Sequence, residues 1–182
     1  MTRPVHVVGA LLLLGVVGLA VWPTLGAPSA TERIAAARAR YETLRVACEK
    51  FHAATGRYAR EYADHPAEFR DLSTARPDVP GSPFLPEPLH AWDATIAARL
   101  FVLNAADHSP AREGFDLDGD GRVDVSGPCN VLRFDYAEEF WSRDFDALID
   151  AGVPGDWKKT GRGRFLGEIA GKPGHYELLL LK

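Results

Sequence analysis

The feature that most constrains this chain is a run without charge. Residues 5–22, "VHVVGALLLLGVVGLAVW", hold no Asp, Glu, Lys or Arg, and His6 is the one polar side chain among them. About 17 to 25 apolar residues are needed to cross a bilayer, so the run divides the 182-residue chain into a membrane-directed segment and a water-facing remainder. Arg3 precedes the run and no acid does, so the rule for positive flanks predicts a cytoplasmic N-terminus and an exported remainder. Two readings of the run compete. An uncleaved single-pass anchor in the inner (cytoplasmic) membrane fits its length, since a signal h-region spans about 7 to 15 residues. A cleaved signal, giving a secreted or periplasmic protein, fits the small residues Ala27, Ser29 and Ala30. The expected division is therefore residues 1–30 as anchor or signal plus linker, and residues 31–182 as one exported domain.

With residues 1–30 set aside, 20 basic and 25 acidic side chains remain, a formal charge of −5. That balance speaks against a nucleic-acid partner, which calls for a basic face. Cys48 and Cys129 could form one disulfide in an oxidising compartment or be two small buried hydrophobes, and the sequence leaves both open.

Ser29 and Glu32 have the spacing of a capping box, and Ile34, Ala37, Tyr41, Leu44, Cys48 and Phe51 follow at steps of three and four. Gly56 is a suitable stop, so a helix is expected over 31–55. Residues 57–92 hold six prolines, which predicts extended loop with one short helix near 66–73, pinned by Tyr58, Tyr62, Phe69, Phe84 and Trp92. Strands are expected at 100–103 and 130–134, a helix over about 138–151, and a closing hairpin of 163–169 with 176–181. Helix, loop, strands, helix and hairpin in that order indicate α+β with a small antiparallel sheet.

The chemistry concentrates in residues 115–126, "FDLDGDGRVDVS". Asp116, Asp118 and Asp120 stand at positions 1, 3 and 5 of a calcium loop, with Gly121 at the sharp turn. Arg122 offers its backbone carbonyl at position 7, Val123 a hydrophobic anchor at 8, and Asp124 a carboxylate at 9. An all-oxygen set suits Ca2+ and disfavours zinc, because no Cys or His lies in the run. Gly127 stands where an EF-hand places a bidentate Glu, so a weaker structural site over 115–127 is expected, rather than a switch. Catalytic patterns are scarce. No histidine pair has metal-ligand helical spacing and no G-x-S-x-G elbow occurs, so neither an enzyme nor a small-molecule substrate is expected. The basic cluster "KKTGRGR" at 158–164 is expected to be the polar start of the last hairpin.

The apolar start, the helix running into Thr55-Gly-Arg-Tyr58, and the later Ser82-Pro-Phe-Leu85 with Pro88 and Leu89 are a familiar order of parts. Over residues 1–135 the chain resembles the major pseudopilins of type II secretion and the wider type IV pilin-like group. The resemblance implies a long N-terminal helix on an antiparallel sheet, a calcium ion in a late loop, and pseudopilin or other secretion-machinery subunits as partners. The chain departs from that group at Ala59 and Ala91, where prolines are usual. It also departs at Pro4-Val-His-Val-Val8, which stands in place of the Gly-Phe-Thr-Leu-x-Glu processing motif.

Overall fold

The computed structural model describes residues 28–62, 69–96, 99–104, 114–167 and 174–182. The charge-free run at 5–22 lies outside them. Among the described residues no helix is long and apolar enough to cross a membrane.

The first described helix, α1, spans Ala30–Thr55. Its start is fixed by the expected reciprocal cap: Ser29 Oγ accepts the Glu32 amide at 3.2 Å, and the Glu32 carboxylate accepts the Ser29 amide at 2.7 Å. It stops where Gly56 turns left-handed at φ 68°. Ala37, Tyr41, Leu44, Ala47, Cys48 and Phe51 are its buried residues, the stripe that the spacing predicts with Ile34 half-buried at one end.

Among the described residues five strands follow: β1 (Glu61–Tyr62), β2 (Arg99–Asn104), β3 (Asn130–Asp135), β4 (Gly163–Leu166) and β5 (His175–Leu181). Two described helices interrupt them, α2 (His90–Ile96) and α3 (Glu139–Ile149). The sheet order is β1-β2-β3-β5-β4 with every pair antiparallel, so the chain is α+β as expected. The predicted strands, late helix and closing hairpin are present; the hairpin's turn lies outside the described residues. The short helix expected near 66–73 falls partly outside them as well, and Asp71, Leu72 and Ser73 form a turn. Strand β1 and helix α2 are additions that the proline content concealed.

Side chains on one sheet face meet the helices. Val102, Leu132 and Leu178 align across β2, β3 and β5, and Phe134 pairs with Tyr176. Phe134, Trp141, Phe145 and Tyr176 form an aromatic group with centroids 5.2–6.1 Å apart, which seats α3 on the sheet. The proline-rich segment is pinned by aromatics as expected: Phe84 meets Phe51 edge-on at 6.0 Å, and Tyr58 stacks on His52 at 4.7 Å. Trp92 is fully buried beneath the Arg40 guanidinium. Asn130, also buried, bonds both the amide and carbonyl of Ala59 and so ties the end of α1 to β3. Cys48 and Cys129 are buried, unbridged and in separate hydrophobic clusters.

The helix layer also holds a buried acid. Asp146 on α3 accepts the Tyr176 hydroxyl at 2.8 Å, in a space so close that a Cβ on Gly163 would overlap both groups. Burial pushes the Asp146 carboxyl up to about 6 from 3.8, the Tyr176 bond opposes that shift, and the Asp150 charge adds to it. The folded state therefore holds this proton more tightly than the unfolded chain. Asp146 favours folding most below about pH 4, and that contribution is lost as pH rises toward 6. Asp146→Asn keeps an acceptor for Tyr176 and removes the ionisation. Relative to wild type it should gain up to roughly 1–3 kcal/mol between pH 4 and 7, measured by urea unfolding across that range. Parallel pH profiles for the two proteins would contradict this assignment.

Candidate metal centre

The other face of the sheet is covered by the acidic loop. Phe115 and Val125 pair as an isolated antiparallel bridge, closed by Phe115 N to Val125 O at 2.9 Å and Val125 N to Phe115 O at 3.1 Å. Both side chains are buried with Cys129, Val131 and Leu179 in a second hydrophobic cluster. Burial pushes the Cys129 thiol up to about 11. Arg164 of β4 lies over the Phe115 ring and donates to the Gly114 carbonyl, clamping the base of the loop from the far edge of the sheet.

From this closed base the chain turns outward and coils around its own carboxylates. Asp116 accepts two amides, Gly119 N at 2.8 Å on Oδ1 and Gly121 N at 2.9 Å on Oδ2. Asp118 accepts Asp120 N at 3.1 Å, and Asp120 accepts Arg122 N at 2.8 Å. These bonds are what short Asp side chains in turns make readily. Here they converge: one carboxylate oxygen from each of Asp116, Asp118 and Asp120 lies within 4.8 Å of the others. Oxygens bound to one hard cation at about 2.3–2.6 Å can be no more than about 5 Å apart, so this trio meets the distance condition for a shared ion. The donor set is all oxygen, and Asp118 and Asp120 are open to solvent while Asp116 is half-buried.

The remaining predicted positions behave differently. Asp124 accepts the Leu117 amide at 2.7 Å and acts as a clasp across the neck of the loop. Arg122 is exposed, with its amide committed to Asp120. Val123 corrects an expectation: it is 54% exposed and belongs to neither hydrophobic cluster, and the Phe115–Val125 bridge supplies the hydrophobic root instead.

A second loop, invisible to motif reading, buttresses the first. Asp116 forms a parallel bridge with Thr160, and its carbonyl accepts Gly161 N at 2.7 Å. The Pro154 carbonyl presses on Gly119, where an added Cβ would sit 2.1 Å away. That second loop is itself held by Asp150, which accepts Arg162 N at 2.7 Å and Gly163 N at 2.9 Å. Burial raises the Asp150 carboxyl, and the two amide bonds together with the Arg162 charge oppose the rise. The cluster at 158–164 is thus partly the polar entry to the hairpin that its sequence suggests, with Lys158 paired to Glu139 at 2.5 Å. It is also a support for the acidic loop.

No family model, curated protein or solved structure matches this chain.

Two glycines separate backbone strain from crowding. Gly121 has φ 84° with open space around it, so Gly121→Ala should cost only the left-handed penalty of about 1–2 kcal/mol. Gly119 has φ 75° and also abuts Pro154, so Gly119→Ala should cost about 1–3 kcal/mol more. Urea midpoints of the two variants test the difference, and equal losses would remove Pro154 as a buttress.

Proposed function

We propose that this chain is a non-enzymatic, membrane-anchored and exported protein of pseudopilin-like build, whose acidic loop carries a structural calcium ion. Residues 5–22 would hold it in the inner membrane, and its partners would be other pseudopilin or secretion-machinery subunits. The observation that carries the reading is the convergence of Asp116, Asp118 and Asp120 in a loop rooted by Phe115 and Val125 on the sheet. Three supports accompany it. A helix of 26 residues lies on an antiparallel sheet; it ends at the Thr55-Gly-Arg-Tyr58 motif; and the acidic loop falls late, just before β3.

Calcium would act here by relieving repulsion. Three carboxylates within 4.8 Å repel one another, and a divalent cation turns that cost into attraction. Backbone carbonyls such as that of Arg122, together with water, would complete the shell. Without a bidentate acid at Gly127 the affinity belongs to the extracellular class, with Kd of about 10⁻⁴ to 10⁻³ M. At millimolar calcium, linkage then gives roughly 1 kcal/mol of added stability.

The full-length protein should therefore melt a few degrees higher with millimolar calcium than with EGTA, and Asp118→Ala should abolish the difference. An unchanged melting temperature on chelation of the wild type would sink the calcium claim. Mass spectrometry of the mature N-terminus tests the anchor separately. An intact Met1 is expected, whereas a new terminus near Ser29 would replace the anchored protein with a secreted calcium-stabilised binding module.

A further inference from the structure

A groove of about 320 Å³ runs between α1 and α3, lined by Arg38, Tyr41, Glu42, Arg45, Leu148, Ile149 and Arg162. A second hollow of about 200 Å³ shares Arg45 and Arg162 and extends the groove toward Leu117 and the end of β5. The protein as a whole is acidic, yet three guanidinium groups collect here. Arg45 is neutralised by Glu42 at 3.1 Å and Glu49 at 2.5 Å. Arg38 and Arg162 make no ion pair within 4 Å among the described residues, although the Arg162 charge is near enough to Asp150 to favour its ionised form.

Arg162 is exposed, and both its backbone and its guanidinium make hydrogen bonds. Its amide donates to Asp150, its carbonyl accepts Leu179 N at 2.8 Å, and its guanidinium donates to the Tyr41 hydroxyl at 3.2 Å. The buried Tyr41 in turn donates to the Leu179 carbonyl at 3.3 Å. The Tyr41 bond restricts the guanidinium before a ligand arrives, so less freedom is lost when it meets one. One wall is apolar, with Ile149 beside a Leu148 that is 43% exposed.

We infer that the groove is a binding site for a carboxylate carried next to an aliphatic group, and specifically for the C-terminus of a partner polypeptide ending in a residue such as leucine. The terminal carboxylate lies between Arg38 and Arg162, whose planar forks match its two oxygens. The aliphatic side chain covers Leu148 and Ile149. Glu42, on the same wall, accepts an amide N–H of the incoming backbone. This inference does not depend on calcium or on the pseudopilin reading.

The test is fluorescence anisotropy of a dansylated tetrapeptide, Gly-Gly-Val-Leu, added to the full-length protein. The free-acid peptide should bind at least tenfold more tightly than its C-terminal amide. Arg38→Glu, an exposed position that leaves the Arg162 network intact, should abolish binding. Lys50→Glu makes the same charge change further along α1 and should leave it unaltered. Equal binding of acid and amide, or equal losses from the two charge reversals, would overturn the site. Displacement of the peptide by an equimolar amount of inorganic phosphate would overturn the peptide assignment, because the aliphatic wall would then contribute nothing.

Discussion

Strand β5 imposes the constraint on which the rest of the structure depends. It pairs with β3 on one side and β4 on the other, and five consecutive residues, from Tyr176 to Leu180, are buried. A strand alternates its side chains between two faces, so unbroken burial means that both faces must be covered. Tyr176, Leu178 and Leu180 belong to the cluster shared with α1 and α3, while Leu179 belongs to the cluster beneath the acidic loop. The loop is therefore a covering layer of the sheet before it is anything else. Its charged tip is turned outward because its root, Phe115 and Val125, is turned inward.

This explains which parts of the fold the sequence made legible. The long helix declared itself through local signals that need no tertiary partner: a Ser/Glu cap, a spacing of three and four, and a glycine stop. The late strands and the helix over Glu139–Ile149 were readable for the same reason. Two elements were not. Strand β1 is two residues long, and its Glu61 is buried because the carboxylate accepts the amides of Leu72 and Ser73 across a turn. No local pattern announces a buried Glu whose partners are eleven and twelve residues away. Helix α2 begins just beyond Pro86 and Pro88 and packs Trp92 under Arg40, so prolines that read as loop also precede a short helix.

The candidate metal centre divides in the same way. The convergence of Asp116, Asp118 and Asp120 follows from local turn chemistry, since each carboxylate bonds amides two to five residues ahead. Long-range geometry decided the rest. Position in the motif gives Val123 the anchoring role, yet the pairing of Phe115 with Val125 puts the inward-facing positions on either side of it. The buttress formed by Pro154, Thr160 and Gly161 comes from about forty residues downstream and carries no motif at all.

One peptide step joins the two proposed sites. Gly161 donates its amide to the Asp116 carbonyl, and the next residue is Arg162, whose guanidinium reaches Tyr41 in the groove. Gly161 is also pressed against Asp150, so closely that a Cβ there would lie 2.4 Å from a carboxylate oxygen. A segment confined on both sides moves as a unit, because close-packed surroundings leave it no independent slack. An ion that orders Asp116 would thereby narrow the positions open to Arg162 without touching it. The coupling would run through hydrogen bonds and steric confinement rather than through the charge of the ion. It would act most strongly on a ligand that needs the Arg162 fork at a fixed angle, and a carboxylate is such a ligand.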